Sequence, residues 1–241
     1  MEPRDRLIVA LDRSERDDIL RMVDELHDVA GIFKIGLQAF TSNGPSIVRD
    51  VVRRGAEVFL DLKFHDIPNT ASHAVAEALS LGASMITIHA SGGRKMMEAC
   101  ADSAKGSDAL LLGVTVLTSL DDQALRRMGW ETSVSDVVAL LAAGAWACGI
   151  KGVVASPHEI ETIRRRCGVE IRIVTPGIRG RDDDIGDQSR TMTAEEAIAA
   201  GADYIVVGRP ITAATVSSPR TAAAKLLDEI ADGVARRNSN A

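Results

Sequence analysis

Aromatic side chains are scarce in this chain, 3% of its 241 residues. That leaves too few stacking platforms for a reader of single-stranded nucleic acid. Basic residues are not in surplus either: 28 Lys and Arg stand against 34 Asp and Glu, a formal charge of −6. A general nucleic-acid or membrane-surface binder needs a basic face, so neither class is expected. An anionic small molecule stays open, because a few basic groups inside a cleft can overrule the global sign. Cysteines number three, Cys100, Cys148 and Cys167, an odd count at wide spacing with apolar neighbours. Buried free thiols fit that pattern and a disulfide framework does not. The longest apolar run, residues 137–150, is too short for a bilayer and is broken by Gly144 and Gly149. The opening Met1-Glu2-Pro3-Arg4-Asp5-Arg6 leads into a short apolar run ending at Leu11, without the core of a signal peptide. A soluble, reduced, cytoplasmic protein is expected.

What is present reads as one large α/β unit. A 46% hydrophobic share with 26% charge is enough to bury a sizeable core, and the length suits a single domain over 1–241 with a frayed tail at 237–241. Short β-branched runs at 7–11, 32–35, 58–62, 85–88, 110–116, 152–155, 171–175 and 204–207 alternate with helical patterns. Ile19, Met22, Val23 and Leu26 show the three-and-four spacing, as do Val134, Val137, Val138 and Leu141. Pairs such as Gly55-Ala56, Gly82-Ala83 and Gly201-Ala202 stop helices just before the next strand. Eight such units predict a closed single-domain (β/α)8 barrel, a TIM barrel. A doubly wound open sheet is the alternative, but no Gly-x-Gly-x-x-Gly follows the first strand.

Polar residues gather at one end of these strands. Asp12 follows the first, Lys34 lies in the second, Asp61 and Lys63 end the third, and His89 ends the fourth. Thr115 and Thr118 end the fifth, Ser156 the sixth, Thr175 to Arg179 the seventh and Gly208-Arg209 the eighth. The opposite ends carry no comparable set, and barrels place their chemistry on one rim.

The densest cluster is Asp61-Leu62-Lys63-Phe64-His65-Asp66, two carboxylates and an ammonium closing an apolar strand. Residues two apart on a strand share a face, which pairs Asp61 with Lys63. Each feature also has a plainer explanation. Asp61 and Lys63 can be a structural ion pair at the barrel mouth, although such pairs contribute little net stability. Asp66 can cap a helix starting near Pro68. Lys34 is harder to dismiss, because an unpaired lysine in an apolar strand costs several kcal/mol; it needs Asp61 or Asp12. Gly208-Arg209-Pro210 is either a plain turn or an oxyanion site of backbone N–H groups and a guanidinium. Residues 177–193 are long for a connection and hold Arg179, Arg181 and Gln188, which suggests a lid; Asp182-Asp183-Asp184 is a solvated run. Gly92-Gly93 reads best as helix entry, and His89 as a hydrogen-bonded core residue outside the site. No metal is expected, because Lys63 sits between the two acids and Lys34 lies near, so two ammonium groups would repel a divalent ion.

The stretch from Asp61 through Asp66 to Ile67-Pro68-Asn69-Thr70 resembles the signature of the orotidine 5′-phosphate decarboxylase family in its bacterial form. The likeness extends over Ala10-Leu11-Asp12, Lys34-Ile35-Gly36, His89-Ala90-Ser91-Gly92-Gly93, Leu117-Thr118-Ser119, Thr175-Pro176-Gly177-Ile178-Arg179, Asp187-Gln188 and Val207-Gly208-Arg209. It implies decarboxylation of orotidine 5′-phosphate to uridine 5′-phosphate, in de novo pyrimidine biosynthesis, without cofactor or metal. The family's charged tetrad falls on Lys34, Asp61, Lys63 and Asp66, with Lys63 as proton donor to C6. The resemblance also implies a homodimer in which Asp66 and Thr70 cross the interface. Asp12 and Lys34 match ribose contacts, Thr118 a contact to the pyrimidine, and Arg179, Gln188, Gly208 and Arg209 the phosphate end. Two rivals remain: a Mg-dependent sugar-phosphate decarboxylase or aldolase of the same scaffold, whose members lack the Ile-Pro-Asn-Thr continuation, and a non-catalytic nucleotide-binding barrel.

Overall fold

The structure, a computed structural model, describes residues 1–179, 191–214 and 217–239. Its strands are β1 (Leu7–Ala10), β2 (Ile32–Gly36), β3 (Glu57–Phe64), β4 (Met85–His89), β5 (Leu110–Val114), β6 (Gly152–Val154), β7 (Arg172–Thr175) and β8 (Tyr204–Val207). Each pairs in parallel with the next, and β8 pairs with β1 to close the barrel. All eight strands expected from β-branched runs are present. The largest departure is β3, which runs on to Phe64, so that Asp61 and Lys63 lie within the strand rather than at its end.

The period-two alternation of side chains divides the interior into two layers. Ile8, Ala10, Ile32, Phe59, Met85, Leu112, Val174 and Val206 point inward and fill the barrel. Residues of the other parity, among them Leu7, Val9, Phe33, Ile35, Val58, Leu60, Ile86 and Ile88, face the surrounding helices. This parity places the site. Stepping by two from Ala10 reaches Asp12, from Ile32 Lys34, and from Phe59 Asp61. The same step leads from Met85 to Thr87 and His89, from Leu112 to Thr118, and from Val206 to Gly208.

Local signals explain where the helices begin and end. Pro68 opens the helix Pro68–Ser80, where its missing N–H costs nothing. Thr193 and Glu196 form a reciprocal capping box on the helix Ala194–Ala200, which Gly201 then ends in the left-handed region at φ 114°. The final helix, Pro219–Ser239, continues through residues expected in a frayed tail, and Arg237 donates to the Ala202 carbonyl at 3.4 Å. Asn240 and Ala241 lie outside the described residues. At the opposite end of the barrel from the site, buried Asp203 precedes β8. It accepts from Arg164 at 2.6 Å, from Arg172 at 3.3 Å and from the Ile173 N–H at 2.9 Å.

Candidate active site

A cavity of about 520 Å³ opens at the C-terminal ends of the strands, within the size range of small-ligand sites. Asp12, Lys34, Asp61 and Lys63 line one part of it, and Thr118, Arg179, Gly208 and Arg209 line others. Phe59, Val114 and Val154 supply an apolar floor.

The four charged groups form an alternating row. Lys34 Nζ donates to Asp12 Oδ1 at 2.9 Å and lies 3.9 Å from Asp61 Oδ2. Lys63 Nζ donates to both oxygens of Asp61, at 2.9 and 3.0 Å. The Lys34 and Asp61 side chains are only 11% and 14% exposed, so each would be costly to bury alone; the row supplies every charge with an opposite neighbour. Lys34 therefore takes both of the partners that its sequence position allows. Gly36 leaves the room for this: a Cβ there would come within 2.9 Å of Lys34 Nζ and 3.0 Å of Asp12 Oδ1.

Lys63 does not reach Asp61 through a regular pleat. Its backbone lies at φ 53°, and among the described residues it is alone outside glycine in having a positive φ. Register between β3 and β4 shifts here, from Leu60 opposite Ile86 to Phe64 opposite Ile88. The Lys63 N–H donates to Thr87 Oγ1 at 2.9 Å, and the Thr87 hydroxyl donates to Asp61 Oδ1 at 3.0 Å. Thr87 touches both Lys63 and Asp61, yet it sits inside the run Met85-Ile86-Thr87-Ile88 and reads in the sequence as an ordinary β-branched strand residue. Its only signal is its inward parity.

At another part of the rim, Gly208 precedes the short helix Arg209–Thr212, with Pro210 in its first turn. Arg179 is anchored through its own backbone, its N–H donating to the Met192 carbonyl at 3.0 Å. Ile178 and Met192 bridge in parallel, so the two described ends of the proposed lid segment meet. Gln188, Arg181 and Asp182-Asp183-Asp184 lie outside the described residues, as does the body of that lid.

Several polar residues of the strand ends and of the ten-residue stretch lie outside the cavity. Asp66 and Thr70 are exposed and do not line it. Asp66 does not cap the helix Pro68–Ser80; it accepts the Ile67 N–H at 2.7 Å. Thr115 and Ser156 serve the backbone, Thr115 donating to the Val154 carbonyl and Ser156 capping a short 3-10 turn. His89 is half-buried inside the barrel, its ring 5.1 Å from that of His65. Burial lowers its proton affinity most, and the charges of His65 and Lys63 lower it further, against an opposing pull from Asp61.

The arrangement joins an ammonium held on a carboxylate to a second basic region of guanidinium and glycine backbone, across an apolar floor. Such a site can take a ligand with an anionic group at each end and deliver a proton between them.

Comparison with known proteins agrees. Residues 5–226 match a family model described as the orotidine 5′-phosphate decarboxylase / HUMPS family. A relative from Syntrophotalea carbinolica, described as orotidine 5′-phosphate decarboxylase, is 47% identical over 238 residues, covering 96% of this chain and 97% of its own. One from Moorella thermoacetica with the same description is 48% identical over 236 residues, 94% of each chain. The crystal structure of orotidine 5′-phosphate decarboxylase from Lactobacillus acidophilus superposes with a TM-score of 0.82 at 33% identity, covering 94% of this chain and 99% of that one.

Proposed function

The chain belongs to the orotidine 5′-phosphate decarboxylase / HUMPS family, and from that premise we infer that it is a carboxy-lyase converting orotidine 5′-phosphate to uridine 5′-phosphate in pyrimidine biosynthesis. The observation that carries this reading is the row Asp12, Lys34, Asp61, Lys63 at the mouth of an otherwise apolar barrel.

Breaking the bond from C6 to the carboxylate leaves an electron pair on a carbon with no good sink. The enzyme must therefore supply stabilisation toward the upper end of the roughly 8–23 kcal/mol that enzymes achieve. Lys63 is the group suited to supply it. Its ammonium stabilises the pair as CO2 departs and then gives a proton to C6, regaining one from water after release. Asp61 keeps the ammonium aimed, and it faces the departing carboxylate, whose repulsion is relieved as CO2 leaves. Asp12 and Lys34 bind the ribose hydroxyls, Thr118 the pyrimidine, and Arg179, Gly208 and Arg209 the phosphate. Phosphate binding far from C6 then contributes to holding the reacting end in place.

The chemistry needs no metal. Asp61, the carboxylate a divalent ion would seek, already faces two ammonium groups. The working form is a homodimer in which Asp66 and Thr70 reach the site of a second copy. Their exposure here supports this, as does Ile67 beside them, an apolar side chain left 66% exposed. Three free cysteines suit a reducing, cytoplasmic setting.

An absorbance assay with orotidine 5′-phosphate, run with and without EDTA, tests the reading. Equal consumption in both is expected. No consumption of orotidine 5′-phosphate, together with turnover of a sugar phosphate that EDTA abolishes and Mg²⁺ restores, would favour the metal-dependent reading, and binding of the nucleotide with turnover of neither would favour a non-catalytic barrel.

A further inference from the structure

We propose that Thr87 is a positioning residue for the decarboxylation, one hydroxyl that sets both the backbone of Lys63 and the carboxylate of Asp61; this rests on Lys63 being the proton donor. Between the pairs Leu60–Ile86 and Phe64–Ile88, three residues of β3 stand against a single residue of β4, and that residue is Thr87. A regular parallel ladder would give the Lys63 N–H a carbonyl on the neighbouring strand. The surplus residues and the left-handed backbone of Lys63 remove that option, and the N–H turns to Thr87 Oγ1 instead.

The chemistry of the hydroxyl then dictates the rest. A backbone N–H only donates, so Thr87 must accept from Lys63 with a lone pair. Its single proton is left to donate, and the group in reach is Asp61 Oδ1, at 3.0 Å. Thr87 is fully buried, so water does not compete for either bond. Asp61 Oδ1 thus receives the Thr87 proton and the Lys63 ammonium together, and the carboxylate is held against rotation while its Oδ2 stays near Lys34. A left-handed lysine is a conformation that surroundings must impose, and Thr87 is the side chain that holds its N–H. Losing the hydroxyl frees both the backbone that carries the ammonium and the carboxylate that aims it. Thr87 itself bonds none of the groups assigned to ribose and phosphate.

The test is Thr87→Val, which keeps the branched shape and removes both hydrogen bonds, beside Thr87→Ser, which keeps both and removes a methyl. Rates are expressed per folded molecule, with folding checked by circular dichroism. The valine variant is expected to lose kcat on the order of 100-fold, the cost of a small misplacement at the reacting centre, with KM for orotidine 5′-phosphate changed by less than about 3-fold. The serine variant is expected to keep kcat within about 3-fold of the parent. Should valine leave the chain unfolded, Thr87→Cys, which keeps the volume and weakens both bonds, takes its place with the same criteria. Unchanged kcat in the valine or cysteine variant overturns the proposal, as does a serine variant that falls as far as valine, which would mean packing alone. Lys63→Ala is run alongside: if it retains near-normal turnover, the assignment of the donor has failed, an outcome distinct from failure of Thr87.

Discussion

Lys63 shows how far a single residue can be read without its neighbours. Its type and its spacing from Asp61 are plain in the sequence and point to a charged pair on one face. Its left-handed backbone is not, because nothing about a lysine favours φ 53°; the register shift against β4 imposes it. Thr87 escapes for the same reason, since threonine in a strand needs no special explanation until the Lys63 N–H is seen to depend on it. Gly36 carries a clearer signal, a glycine two residues after a buried lysine, yet its role shows only where a Cβ would meet the Lys34–Asp12 pair. His89 yields a prediction at this scale. Burial and the charges of His65 and Lys63 hold its proton affinity below the ordinary 6.5, so the unfolded chain binds a proton there more readily than the folded one. Where the unfolded state holds more protons, stability rises with pH, and it falls as pH drops from neutrality through 6.5 toward the lower folded value. His89→Gln should therefore flatten the change in urea midpoint between pH 7 and pH 5.5 relative to the parent. Identical slopes would mean that His89 does not couple folding to protonation.

Among elements, the strands are the most legible because each is a β-branched run bounded by turn residues, and a buried parallel strand has little else to be. Their ends are less so. Charge usually ends an apolar strand, which predicts a stop near Leu62 for β3, but the barrel interior accepts Asp61 and Lys63 once Lys34 and Thr87 stand beside them. The helix Pro219–Ser239 outlasts its expected end because its polar last turn still finds a partner, Arg237 on the Ala202 carbonyl. The buried clamp at Asp203 also depends on assembly: Arg164 comes from the helix Ile160–Cys167, Arg172 from β7, and the carboxylate precedes β8. Such groups on the N-terminal face of a barrel bear on stability rather than chemistry. Asp203→Ala leaves the Arg164 charge without its carboxylate and is expected to cost about 3–5 kcal/mol of unfolding free energy, measured by denaturant titration. Its KM for orotidine 5′-phosphate should not change, and a shifted KM in the folded fraction would refute a purely structural role.

The whole molecule divides its charge by location. A chain with a net charge of −6 concentrates Lys34, Lys63, Arg179 and Arg209 around one opening, which suits a doubly anionic nucleotide better than any surface the composition offers. In the proposed function a second chain completes the row. Asp66 and Thr70 belong to the same ten-residue stretch as Asp61 and Lys63, but they stand outside the cavity with Ile67 exposed beside them. Sequence proximity points them toward the site, while in their own chain they do not line the cavity. The proposed homodimer would account for this, because a closed isologous interface delivers the same loop reciprocally to both sites. Mixing inactive variants reads that exchange directly. If Asp66 acts across that interface, Lys63→Ala and Asp66→Ala homodimers each lack a needed group in both sites. A mixed dimer gathers both defects into one site and leaves the other intact. Random assortment of equal amounts makes half the dimers mixed, so activity should recover to about a quarter of the parent value. If Asp66 served the site of its own chain, every site in the mixture would still lack one group. Mixing, even after complete subunit exchange, would then restore nothing.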